Sequence, residues 1–197
     1  MKKIITASKY LLVFAVAAAV AYFSALKVGA YINNKRLEQK KQAVEQNRKD
    51  FTKTILDKMQ TLSIGDTLPD HRFEDLYRRP VYLSELLKGQ TILIFFDPYC
   101  ENCNEEMNAV NQAVTELREY EYFIFISGEN PRLIEEIPEL SELKSPVLYD
   151  HHREYIDRFK IFTFPFNIVI DKDRVVREIY GQALTPEEIT RVIEHNR

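Results

Sequence analysis

This 197-residue chain has two cysteines, five glycines and no tryptophan. Two cysteines cannot make the disulfide framework of a stapled secreted fold, which carries several pairs. They stand at positions 100 and 103, so a bond between them closes a very small loop. Such a bond removes little entropy from the unfolded chain and is nearly useless as a staple. Five glycines leave no glycine-rich phosphate loop of the nucleotide or dinucleotide kind. An excess of one charge is missing too: 27 Lys/Arg stand against 30 Asp/Glu, interleaved through most of the sequence. With no basic stripe, nucleic acid is not an expected partner.

What remains suits one domain and an appendage. The chain is 45% hydrophobic, with 12 Phe and 11 Tyr to fill a core, and its mean hydropathy of −0.32 is that of a soluble body. The appendage is amino-terminal. Lys2, Lys3 and Lys9 precede "YLLVFAVAAAVAYFSAL", Tyr10 to Leu26, which carries no charge. As a helix this run spans about 25 Å, at the short edge of a membrane crossing and the long edge of a signal-peptide core. It reads as an uncleaved anchor over residues 1–32, with a removed signal peptide as the alternative. Lysines and arginines flank both sides, so the positive-inside rule gives no orientation. Residues 33–63 are polar and rich in helix formers; Leu37, Val44 and Phe51 recur every seven. One apolar position per heptad is too few for a coiled coil, so this stretch reads as a solvated spacer.

Residues 64–197 read as the folded domain. "TILIFF" (Thr91–Phe96) and "YFIFIS" (Tyr122–Ser127) are continuous apolar runs that predict buried strands. Between them, Glu101–Tyr120 has helical spacing at Met107, Val110, Val114 and Leu117. A brief helix is expected from Ser84 to Gly89 and another in "NPRLIEEI" with Asn130 as cap. "PVLYD" (Pro146–Asp150) predicts a short strand, and "REYIDRFKI" a helix. "FNIVID" and "RVVREIY" predict a hairpin around Lys172-Asp173, and "TPEE" starts a last helix with Thr185 as cap and Glu188 three residues on. The order predicts an α/β fold: a mixed sheet with helices on both faces.

The cysteine pair follows a buried strand and opens a helix. There, free backbone N–H groups and the helix dipole ease ionisation of the first thiol. The second, one turn on, is placed to attack a mixed disulfide formed at the first. A C-x-x-C pair near a βαβ pattern reads as thioredoxin-like. Pro165 precedes another strand, where it is tolerated only at the first residue. A cis bond there would turn the preceding backbone toward the cysteines, although trans is the commoner isomer.

From Ile64 onward the chain resembles the membrane-anchored thioredoxin-like proteins of the TlpA/ResA type, within the redoxin (AhpC/TSA-like) group. The resemblance rests on "GDTLPDHRFEDL", "VYLSELLKGQTILIFF", "CENCNEEM", "TFPFNIVID" and Gly181. It implies a thioredoxin-like fold, Cys100 as attacking thiolate, Cys103 as resolving thiol and Pro165 as a cis-proline beside them. It also implies that Glu106 matches the acidic residue of ResA-like active sites, and that Tyr99, Phe164 and Pro165 contact substrate. The expected activity is reduction of protein disulfides outside the bacterial cytoplasmic membrane, possible substrates including apocytochrome c. A membrane electron donor is the expected partner, with no cofactor. Tyr99 stands where the family has Trp, and Asn102 where it often has Pro. Asp97, Glu101, Glu105 and Glu106 surround the thiols without a cation between them, which disfavours thiolates and predicts a strongly reducing pair.

Other readings of the pair stay open. A copper-carrying redoxin of the Sco kind uses two thiolates and a histidine, but its cysteines are four apart rather than three. Structural zinc needs four ligands, which His71, His151, His152 and His195 would have to complete. A peroxide-reducing redoxin favours a threonine and proline before its cysteine; "DPYC" supplies only the proline.

Overall fold

The protein is described by a computed structural model, over residues 2–59, 61–117, 122–135, 140 and 143–195. It divides into two compact units, Met1–Lys49 and Asp50–Arg197. Helix α1 runs Lys2–Met59. In the first unit its described side chains are almost all exposed, and Lys41–Glu38 and Lys49–Glu45 pair along its surface. Most side chains of the run Tyr10–Leu26 lie outside the described residues. Among the described residues no helix is long and apolar enough to cross a membrane.

The second unit begins ten residues before the end of α1, within the stretch expected to be spacer. Ile55 is buried there, and the Gly181 amide donates to Thr52 Oγ1 at 3.2 Å. A Cβ on residue 181 would stand 3.3 Å from Ile55 Cγ1, so glycine lets the helix end approach. Thr61 Oγ1 then donates to the Phe159 carbonyl.

A seven-stranded mixed sheet follows, in the order β2-β1-β5-β4-β3-β6-β7. Its members are β1 (Arg72–Asp75), β2 (Pro80–Tyr82), β3 (Thr91–Phe95), β4 (Phe123–Ser127), β5 (Val147–Tyr149), β6 (Phe166–Ile170) and β7 (Val176–Tyr180). Strands β3, β4 and β5 pair in parallel, while the pairings β3–β6, β6–β7, β5–β1 and β1–β2 are antiparallel. The two runs read as buried strands, β3 and β4, and the hairpin strand β6 are buried at every residue because both sheet faces are covered. One face packs on α3 (Glu101–Leu117) and on the last helix, α6 (Pro186–His195), through Met107, Val110, Val114, Ile189 and Ile193. The other holds Ile55, Leu68, Leu83, Tyr155 and Ile156 over Phe95 and Phe166. Other described helices are α2 (Leu83–Leu86), α4 (Pro131–Glu135) and α5 (Glu154–Arg158).

The cap chemistry follows the sequence closely. Thr185 Oγ1 accepts the Glu188 amide, and the Glu188 carboxylate accepts the Thr185 amide, which makes a reciprocal capping box for α6. Asn130 Oδ1 caps α4 through Arg132 N. In the β6–β7 turn, Asp171 Oδ1 accepts Asp173 and Val175 amides while Arg174 takes φ 65°. One helix starts later than expected. His152 and Arg153 are left-handed (φ 56° and 58°), so "REYIDRFKI" turns helical only at Glu154. The expected ends of α3 at 118–120 and of α4 at 136–137 lie outside the described residues.

Candidate active site

Strand β3 is buried to its last residue and delivers the chain to the carboxyl edge of the parallel strands, between β4 and β6. There the backbone turns. Asp97 Oδ1 accepts the Tyr99 amide and Asp97 O accepts the Cys100 amide, at 2.8 and 3.1 Å. Cys100 is then the cap of α3: its carbonyl accepts from Cys103 N and Asn104 N, and its sulfur lies 3.2 Å from Cys103 N. Sγ occupies the place a capping oxygen would take, where helix N–H groups stabilise negative charge.

The two sulfurs form a disulfide, with Cα atoms 5.2 Å apart. Their surroundings differ. Cys103 is 1% exposed and packs with Met107 and Phe96, whereas Cys100 is only partly buried. Cys100 is thus the more reachable of the two sulfurs. Tyr99, beside the outer sulfur, is 77% exposed. The loop before β6 closes the other side. The Phe164–Pro165 bond is cis, as the resemblance implied, and the Phe164 carbonyl oxygen lies 3.6 Å from Cys100 Sγ, where a reduced thiol would donate. Of the three residues expected to meet substrate, Phe164 thus lies against Cys100, Tyr99 precedes it in the chain, and Pro165 is buried next to Phe164.

Glu106 lies one turn beyond Cys103 on α3 and is 2% exposed. Its Oε1 accepts from Leu184 N at 2.8 Å and from Asn167 Nδ2 at 3.0 Å. That burial does not match a free solvated charge on the helix face. Neither Asn167 nor the Leu184 amide emerged from the sequence, although one signal was present: an asparagine inside the apolar run "FNIVI".

A second buried carboxylate, Asp150, sits on the opposite sheet face. It accepts from Tyr155 N and Ile156 N at the start of α5, and His71 Nε2 lies 3.4 Å away. Burial lifts its pKa above the ordinary carboxylate range, against the pull of those amides and of His71. Among the described residues no group of three His, Cys, Asp or Glu is arranged to hold a metal. A cavity of about 700 Å³ lies at the other end of the sheet, where its arginines are paired: Arg177 with Asp171 and Arg191 with Glu178.

With this geometry in place, the comparisons with known proteins fall into line. The sequence model of the AhpC/TSA family matches residues 64–179, more than half of the chain. The thiol-disulfide oxidoreductase ResA of Geobacillus kaustophilus is 25% identical over 135 residues, covering 68% of this chain and 78% of that protein. Among solved structures, a putative protein disulfide isomerase from Bacteroides thetaiotaomicron superposes with a TM-score of 0.58 at 18% identity, over 68% of this chain and 89% of that one. Peroxidoxin BcpB from Mycobacterium tuberculosis gives the same TM-score at 21% identity, over 68% and 96%. These structural likenesses establish the thioredoxin-like fold.

Proposed function

From the premise that this chain belongs to the AhpC/TSA family, we propose that it reduces disulfides of proteins outside the cytoplasm, held at the membrane by the segment Tyr10–Leu26. It is a thiol-disulfide oxidoreductase like its ResA relatives. One observation carries the reading: a reachable sulfur at a helix tip with a buried partner one turn behind it. The reduced Cys100 thiolate attacks a substrate disulfide and releases one substrate thiol. Cys103 loses its proton, attacks Cys100 Sγ and expels the second substrate thiol, which leaves Cys100–Cys103 oxidised. The dithiol has given two electrons to the substrate, and a membrane donor returns them.

Several features support this assignment. Tyr99, Phe164 and Pro165 border the outer sulfur and offer an apolar rim and a carbonyl to an extended peptide. Cys103 is shut off from solvent, so its proton needs an internal acceptor; Glu106, buried one turn away, is the catalytic base in this reading. Apocytochromes c, whose thiols must be free for haem attachment, are among the substrates such a protein serves.

Catalysed reduction of insulin disulfides by the reduced chain tests the function. Cys100→Ser is expected to abolish turnover. Turnover at the wild-type rate in that variant would contradict the assignment. Peroxide consumption, and metal content after purification without chelator, report on the peroxidase and copper readings.

A further inference from the structure

Asn167 is fully buried in β6, where every other residue is apolar. It pairs across the sheet with Ile94 of β3 and Tyr180 of β7. Its Nδ2 donates to Glu106 Oε1 and to the Gln182 carbonyl, both at 3.0 Å. Its own Oδ1 is buried with no hydrogen-bond partner among the described residues. An unused buried acceptor carries a cost, and an apolar residue of similar volume would avoid it. Packing alone therefore does not account for an amide here.

The orientation of that amide is fixed by chemistry. The Gln182 carbonyl can only accept, so the group facing it is the NH₂ and not the oxygen. The same nitrogen therefore presents an N–H to Glu106, and Leu184 N presents another. Two donors converge on one carboxylate oxygen. They favour the ionised form and direct any proton that Glu106 takes to its other oxygen.

We infer that Asn167 is a positioning residue for thiol–disulfide exchange: it holds the Glu106 carboxylate ionised and aimed while Cys103 gives up its proton to resolve the mixed disulfide. The inference rests on the reading of Glu106 as proton acceptor. In the step concerned, the Cys103 S–H proton passes to Glu106 and the Cys103–Cys100 S–S bond forms. The Cys100–substrate S–S bond breaks, and the leaving thiolate takes a proton from solvent. Other ionisable groups on the elements packed here are Tyr180, bonded to Glu178, and Glu188, which caps Thr185. Glu105, the neighbour of Glu106 on α3, is exposed.

A chromogenic aryl disulfide separates the steps in the reduced full-length chain. Attack by Cys100 releases one aryl thiolate in a concentration-dependent phase; resolution by Cys103 releases the second in a concentration-independent phase. Asn167→Leu removes both donor hydrogens and suits the strand. It is expected to keep the first phase and slow the second about tenfold near pH 6, with the acid limb of the rate profile moved up by about one pH unit. Asn167→Thr, which restores a donor, is expected to recover part of that loss. In Glu106→Gln the acid limb disappears, and adding Asn167→Leu costs nothing more, because the two act as a unit. An unshifted acid limb in Asn167→Leu, beside a slowed Glu106→Gln, would overturn the inference alone. Loss of both phases in both Asn167 variants would assign the residue to packing and overturn it as well. A second phase unchanged in Glu106→Gln would instead remove the reading beneath it.

Discussion

Asp150 and Glu106 are both buried in this domain, on opposite faces of the sheet, and they have different neighbours. Asp150 follows β5 and turns its oxygens to the first amides of α5, with His71 beside it and that ring packed in turn on Phe73 and Tyr155. Glu106 is held by one backbone amide and one side-chain amide, a single turn from a buried sulfur. In both, donated N–H groups offset the loss of water. The difference lies in what stands next to each acid: a helix start in one case and reactive sulfur in the other. Burial of a charge thus marks a place where something is held, and its neighbours decide whether that is the fold or the chemistry.

The comparison breaks first on stability. Asp150→Ala leaves the first turn of α5 without its cap and His71 without its partner, for an expected loss of about 3 kcal/mol. Urea denaturation measures it, and the folded fraction should still exchange disulfides. Glu106→Gln is the converse: at least tenfold slower resolution of mixed disulfides with a smaller fall in the urea midpoint. If both substitutions cost stability and rate alike, the division of labour fails.

Acidity sharpens the contrast. Burial raises the folded pKa of Asp150 above 3.8, so the folded state binds that proton more tightly than the unfolded chain does. The stability from this linkage is fully present below pH 3.8 and is lost as pH rises through the folded value. Relative to Asp150→Asn, the wild type should therefore compare best in acid and lose ground toward neutrality. Equal urea midpoint differences at pH 4 and pH 7 would contradict that assignment. The smallest effect is expected at the α6 cap: Thr185→Ala should cost about 1 kcal/mol, with disulfide exchange intact, because the capping box lies beside the Leu184 amide and does not replace it.

Much of this arrangement was legible beforehand, for local reasons. Continuous apolar runs gave β3 and β4, the hairpin pattern gave β6 and β7, and cap residues gave the starts of α4 and α6, because those signals act within a few residues. The outer and inner sulfurs were legible from their place after a buried strand. Asn167 and the Leu184 amide were not, because they meet Glu106 across 61 and 78 residues of sequence, and no local pattern encodes such a contact. The end of α1 was missed in the same way: nothing local marks Ile55 as buried until Gly181 is brought against it. His152 and Arg153 carry no glycine-like signal for the left-handed turn that they adopt.

The central claim is that the two sulfurs divide the work, with the outer one attacking and the inner one resolving. Mass spectrometry of the reduced single-cysteine chains, Cys103→Ser and Cys100→Ser, after exposure to a protein disulfide tests it most directly. The account predicts a stable mixed disulfide on Cys100 and none on Cys103 in the folded chain. Equal trapping on either sulfur, or trapping on Cys103 alone, would contradict it.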